Sequence, residues 1–321
     1  YAYMAILNIV FIYGLDSAYL KFASFKDIGD EKDNFSTPYI SVFVTSLLFV
    51  LLIVVNINEI GTSLRIPSDY TYLIYLAAAI LFLDTNVVIP FLKLRLDRRA
   101  KIFSLFRIIN ISVNIILNVY LIIVLGWGIE AILISNLAAS AVSLILVSFT
   151  ILKNFRPKFH SLLFKRMFKF GIPFLPAGFA IMLIQVIDVP ILEKLTDLQT
   201  VGIYKANYKL GIFMMLFVNM FQFAWQPFFL QNAKEPNAKE MFSKVLTYFT
   251  LVGSVILIVL SLFITDIAQI KISGFSLIGP EYWAGLHIVP FILLAYLING
   301  MHTIFSAGIY IEEKSIYAPI V

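Results

Sequence analysis

The chain has 321 residues, 60% of them apolar and 13% charged, with a mean hydropathy of +0.92 and no cysteine. Soluble domains carry about 45–50% apolar and ~25% charged residues, so this composition excludes a water-soluble globule and points to a polytopic membrane protein. The missing Cys exclude disulfide frameworks, thiolate metal sites and a Cys nucleophile, and the net charge of +5 signals nucleic acid only if the positives share one soluble face.

Apolar stretches long enough to cross a ~30 Å hydrocarbon layer fall at 2–20, 38–55, 71–92, 103–125, 130–152, 170–192, 201–226, 243–266 and 285–310. They predict nine helices: the stretches are too long for barrel strands of about 9–11 residues and do not alternate polar with apolar. The longest connection, 267–284, is too short for a soluble domain, which takes about 50 residues or more.

All but three of the loop Lys and Arg fall in 21–37, 93–102, 153–169, 227–242 and 311–321; the exceptions are Arg65, Lys194 and Lys271. The positive-inside rule makes the first set cytoplasmic, so the basic runs are topology signals and nucleic acid is not an expected partner. The first span then runs from outside to inside. That orientation, the opening on Tyr1 and the fresh apolar run SIYAPIV (315–321) together suggest a fragment that lacks a first helix and one or more last ones.

Charged residues within spans are costly and are functional candidates by default. Asp16, in YGLDSAYLKF, stands four residues from its span end, where interfacial placement and function are equally open. Asp84 is the deepest acid, eight residues or about 12 Å from the inner end of span 71–92. In span 103–125, Arg107, Asn110, Asn114 and Asn118 follow at intervals of three and four and share one arc of the helix. Such a stripe either hydrogen-bonds across to a neighbouring helix or lines a wet lumen. Ser135, Ala139 and Ser143, spaced by four, predict a close-packing face.

Span 170–192 opens with FGIPFLPAGFA, whose Pro173, Pro176 and Gly178 either start the helix or break it. Gln185 and Asp188 share a face further along it. Span 201–226 carries Lys205 and Lys209 at i,i+4, with Tyr204, Tyr208, Asn219, Gln222 and Gln226 on the same broad side. Lys205 can snorkel to the headgroups; Lys209 is a turn deeper and is expected to face a lumen.

Enzyme constellations are missing from the sequence. His160, His287 and His302 lie in separate regions without metal-ligand spacing, and no nucleotide-binding or hydrolase motif appears, so no catalytic residue, metal or cofactor is expected. The acids Asp27, Asp30, Glu31 and Asp33 read as a solvated cytoplasmic turn.

GIYKANYKLG (202–211) followed by FQFAWQPFFL (221–230) resembles the GIY-x-x-AYKL and Q-AW-x-PF pattern of polysaccharide (O-antigen, Wzx-type) flippases of the multidrug/oligosaccharidyl-lipid/polysaccharide exporter superfamily. FGIPFLPAGFA is similar to that family's entry to its seventh helix, YGLDSAYLKF to its second helix and PFLKLRLDRRAKIFSLFRIIN (90–110) to its basic loop between the fourth and fifth helices. The order of these segments places the chain at helices two to ten and the start of eleven. One departure stands out: many members follow the acid of the seventh helix with Arg, whereas Asp188 is followed by Val189 and Pro190, which puts an ion-pair role in doubt.

The resemblance implies an all-α fold, a fragment of a 12–14 helix transporter with nine full transmembrane helices and the start of a tenth. Its two pseudo-symmetric lobes would comprise 1–152 and 170–321, joined by the basic cytoplasmic linker 153–169. It implies a transporter, not an enzyme, that flips a lipid-linked oligosaccharide from the cytoplasmic to the outer face of the bacterial inner membrane by alternating access. A cavity lined by Arg107, Lys205 and Lys209 suits an anionic pyrophosphate, and Asn110, Asn114, Asn118, Tyr204 and Tyr208 suit sugar hydroxyls. Asp84, Asp16 and Asp188 are candidate ion couplers. Expected partners are the lipid-linked oligosaccharide, membrane lipids, a polysaccharide polymerase and other export-pathway proteins. A peptidoglycan-precursor flippase and a drug/cation antiporter of the same superfamily are alternatives, and a membrane-embedded glycan polymerase or ligase is an alternative of another class.

Overall fold

A computed structural model describes residues 2–25, 28–64, 66–272 and 275–320. In chain order the α-helices are α1 (Ala2–Ile12), α2 (Leu15–Phe25), α3 (Glu31–Val55), α4 (Ile57–Ser63), α5 (Tyr72–Leu96), α6 (Ala100–Val119), α7 (Ile129–Asn154) and α8 (Ser161–Gly171). They continue as α9 (Phe174–Val186), α10 (Asp188–Leu195), α11 (Leu198–Tyr208), α12 (Ile212–Asn232), α13 (Ala238–Leu262), α14 (Ile264–Gln269), α15 (Val289–Phe305) and α16 (Ala307–Ile311). Among the described residues nine helical segments are long and apolar enough to cross a membrane, as the apolar stretches predict. A two-stranded antiparallel ribbon, Lys271–Ile272 with Phe275–Ser276, lies in the connection before α15.

Several spans are not single helices. The first breaks at Tyr13 and Gly14, both at positive φ (38° and 75°). A side chain disfavours that conformation and glycine tolerates it, so Gly14 supplies the turn that starts α2. The sixth span breaks at Ile172 and Pro173 and again at Ile187, so the Pro-rich entry is a break rather than a simple start. The seventh changes from α11 to α12 through a 3-10 turn at Lys209–Gly211. At its C-terminal end α6 widens into a π-turn over Tyr120–Val124, and Gly126 at φ 66° ends it.

The chain forms two compact units, one of Tyr1–Phe179 with Ser315–Val321 and one of Ala180–Lys314. α8, in the basic segment 153–169, belongs to the first of them and packs on α2 and α3. Its Leu163, Met167, Phe170 and Gly171 are buried along one face while Lys165, Arg166 and Lys169 face out, the pattern of an amphipathic helix laid on a core. The Phe22 and Phe170 rings meet edge to face at 6.1 Å.

The first unit is tied by charges where α3 starts and α5 ends. The Asp30 carboxylate caps α3 by accepting the Asp33 N–H at 2.7 Å, and Arg156 Nη1 reaches Asp30 at 2.9 Å and Asp33 at 3.4 Å. The Arg156 and His160 backbone N–H groups donate to the Ser36 and Thr37 hydroxyls, fixing the segment before α8 to the first turns of α3. Lys93 Nζ lies 2.6 Å from both Glu31 and Asp97. The acids expected to be a solvated turn are thus structural: Asp33 is buried and Asp30 and Glu31 are paired. Asp27 and Arg65 lie outside the described residues. The Asp33 N–H, helped by Arg156, holds the Asp30 carboxyl below the usual carboxylate range.

Candidate functional site

Within the first unit, α5, α6 and α7 bring Asp84, Arg107 and Asn110 together. Asp84 Oδ1 accepts the Ser140 hydroxyl at 2.6 Å. The Arg107 guanidinium lies 4.4 Å from the Phe91 ring centroid and 5.7 Å from Phe103, while the residue as a whole is exposed. The two rings hold the guanidinium by cation–π attraction.

The three asparagines below Arg107 divide. Asn110 Nδ2 donates to the Ala139 carbonyl and the Ser143 hydroxyl, both at 2.8 Å, so it joins α6 to α7. That close approach needs the small face of α7: Ser135, Ala139 and Ser143 are all buried, as their spacing predicts. Asn118 Nδ2 donates to the Asn114 carbonyl at 2.9 Å and to its side-chain oxygen at 3.0 Å, and both residues are half-buried. Asp16 stands in the first turn of α2, where a carboxylate complements the helix N-terminus, and is half-buried.

The second unit holds the other group. Asp188 opens α10; its Oδ2 accepts the Tyr204 hydroxyl at 2.5 Å and its Oδ1 accepts the Val189 N–H at 2.9 Å. The side chain of Gln185 lies outside the described residues, so its pairing with Asp188 is not described. Tyr204 and Tyr208, one turn apart on α11, have ring centroids 5.6 Å apart. Tyr296 of α15 adds a third ring, 6.3 Å from Tyr208, and its hydroxyl donates to the Tyr208 oxygen at 3.4 Å. Lys205 and Lys209 are exposed, each one residue on from a tyrosine and therefore about 100° round the helix.

Two members of this cluster escape sequence reasoning. Tyr296 lies in a long apolar helix with nothing nearby to mark it. Asn207 is fully buried, and its Nδ2 donates to the Tyr282 carbonyl at 2.8 Å, pinning α11 to the 3-10 segment Pro280–Ile288. A Cβ at Gly285 would strike Asn207 and Ile203, so the missing side chain there permits the approach.

The FQFAWQPFFL segment is packing. Trp225 is 2% exposed and ringed by Phe221, Phe228, Phe229 and Phe242 at centroid distances of 5.3–5.8 Å. Among the described residues no group of His, Asp and Glu could hold a metal ion.

Among solved structures the fold is similar to a mutant of the Vibrio cholerae MATE transporter VcmN, with a TM-score of 0.80 and 14% identity over 98% of this chain and 74% of that one. It is also similar to an outward-facing multidrug-resistance MATE family transporter of the MOP superfamily, with a TM-score of 0.77 and 14% identity over 99% and 74%. A further likeness is to MATE in the bent conformation, at 0.76 and 12% over 99% and 73%. At identities this low the likeness shows a common fold alone. No curated protein matches the sequence. The profile of the family described as polysaccharide biosynthesis protein matches residues 1–233, more than two thirds of the length, and the chain belongs to that family.

Proposed function

We propose that the protein flips a lipid-linked oligosaccharide, carried on a polyprenyl pyrophosphate, from the cytoplasmic to the outer face of the bacterial inner membrane. The family match over 1–233, on a chain with a multidrug-transporter fold, carries the reading. The substrate has an anionic pyrophosphate, a glycan rich in hydroxyls and an apolar tail. Arg107, held over Phe91, with Lys205 and Lys209, supplies cations within membrane-spanning helices for the first. Asn114, Asn118, Tyr204 and Tyr208 supply hydrogen-bonding groups for the second, and the tail stays in lipid. Alternating access moves the headgroup, with Asp84, Asp16 and Asp188 as the acids available for ion coupling.

The test is complementation of a strain lacking its own polysaccharide flippase by the full-length gene, scored by surface glycan. The wild-type gene restores the glycan, and Arg107→Gln combined with Lys209→Gln abolishes it while the protein remains inserted and abundant. Normal export by the double variant would overturn the cationic site. The likeness to multidrug MATE transporters favours a second reading, drug/cation antiport. Drug resistance conferred by a gene that leaves surface glycan unrestored would select it.

A further inference from the structure

Within the first unit a cavity of about 80 Å³ lies where α3 starts and α5 and α7 end. These three helices have 25, 25 and 26 residues. At 1.5 Å per residue each is about 38 Å long, more than a ~30 Å hydrocarbon layer, so their ends reach the depth of lipid headgroups. The charged side chains around the cavity are Glu31, Lys93, Asp97, Arg99 and Lys153. Lys93 is buried, and its Nζ lies 2.6 Å from both Glu31 and Asp97. Arg99 and Lys153 are exposed, and among the described residues their side chains form no hydrogen bond or ion pair. Three cations against two carboxylates leave the cavity with an excess of one positive charge, and the cations still without a partner are Arg99 and Lys153. Its apolar edge is Phe149, which with Ile145 and Leu152 makes an exposed stripe along one face of α7. Such a stripe on a membrane-spanning helix suits acyl chains.

We propose that this cavity binds the phosphate headgroup of an anionic phospholipid, whose acyl chains lie against Phe149 and Leu152. Arg99 offers a planar fork of donors that meets two phosphate oxygens at once, Lys153 adds a mobile point charge, and both contacts are charge-assisted. Lys93 has a different task. By holding Glu31 and Asp97 it offsets the two carboxylates that would otherwise repel the phosphate. Basic pockets between membrane-spanning helices are a recurring way of holding anionic headgroups. The small volume suits a phosphate group and excludes a glycan. Charge that adjoins an apolar stripe fits a phosphate that carries chains better than it fits the free ion. None of the residues given a part in transport lines the cavity, so the site stands or falls independently of that reading.

The experiment is native mass spectrometry of the full-length protein in detergent, equilibrated with equal amounts of phosphatidylglycerol and phosphatidylcholine, with and without inorganic phosphate at the lipid concentration. The expected result is one phosphatidylglycerol retained in preference to phosphatidylcholine and not displaced by inorganic phosphate. Arg99→Gln combined with Lys153→Gln weakens that retention by about tenfold or more, as the loss of two charge-assisted contacts predicts. Lys165→Gln combined with Lys169→Gln removes the same charge from α8, away from the cavity, and leaves retention unchanged. Equal retention of the two lipids overturns the proposal, as does retention that survives in the Arg99/Lys153 variant or falls equally in the α8 variant. Displacement by inorganic phosphate overturns the lipid assignment and makes the cavity a site for the free ion. Arg99 and Lys153 are exposed and unpaired, so their replacement leaves the fold intact, and each single variant read alone gives a smaller loss of the same sign.

Discussion

Gly14 and Gly171 touch backbone to backbone. A Cβ on Gly14 would strike the Gly171 carbonyl oxygen, and one on Gly171 would lie 2.7 Å from the Gly14 carbonyl oxygen. The start of α2 and the end of α8 can therefore meet only where both residues lack a side chain, and it is this contact that seats the amphipathic α8 in the first unit.

Gly171→Ala is expected to destabilise the first unit by about 1–3 kcal/mol, the cost of forcing a methyl into a packed contact whose opposing atoms are backbone and cannot turn aside. Gly14→Ala costs more, since its φ of 75° adds strain. Thermal unfolding in detergent would check both; an unchanged midpoint in Gly171→Ala would mean that the helices separate there at no cost.

Asn110 and Ser143 should couple weakly. Interhelical hydrogen bonds in membranes average about 0.6 kcal/mol, with about 1.7 at most. A double-mutant cycle with Asn110→Ala and Ser143→Ala is expected to give a coupling energy in that range, read from unfolding in mixed micelles. A value near zero would mean that the Ala139 carbonyl holds Asn110 by itself.

Trp225 sets the packing of α12 against α13. Removing its ring should cost about 3–5 kcal/mol in Trp225→Ala. Trp225→Phe should cost clearly less, because among the described residues the buried indole N–H has no hydrogen-bond partner, so its loss breaks no bond seen there. Comparison of the folded fraction by size-exclusion chromatography after heating separates the two.

The cap at Asp30 makes the start of α3 sensitive to acid. Its folded carboxyl ionises more readily than the unfolded one, through the Asp33 N–H first and Arg156 next. The stabilisation is therefore complete above the ordinary aspartate value of about 3.9 and fades as pH falls through the lower folded value. Hydrogen exchange over 31–36 should rise in that window in the wild type beyond the intrinsic pH effect. Asp30→Asn should show no such step; a step of equal size in the variant would assign it to another acid.

The spans were legible because hydrocarbon demands length and apolarity, and both are written in composition. Their breaks were not. Apolar residues run straight through Tyr13 and Gly14 and through Ile187, and only the positive φ or the neighbouring helix shows where the helix stops. Lys21 and Lys93 read as loop cations because the apolar stretch ends just before them, yet α2 and α5 continue and bury both. One of the two carboxylates that pair with Lys93 is Glu31, 62 residues earlier, a pairing that no local pattern reveals. In the candidate site, Arg107 and Asp84 were marked by being charged in an apolar setting. Tyr204 was marked by its stripe but not by its bond to Asp188, since a contact 16 residues away depends on how α10 turns back to α11.

The division of the chain into compact units also bears on synthesis. Ser315–Val321 belongs to the first unit, with Ser315–Tyr317 against α8, yet the ribosome makes it only after Ala180–Lys314. At ~5–20 residues per second that interval lasts about 7–27 s. For that time the part of α8 that Ser315–Tyr317 packs against waits for its partner, although the rest of the first unit has already been made.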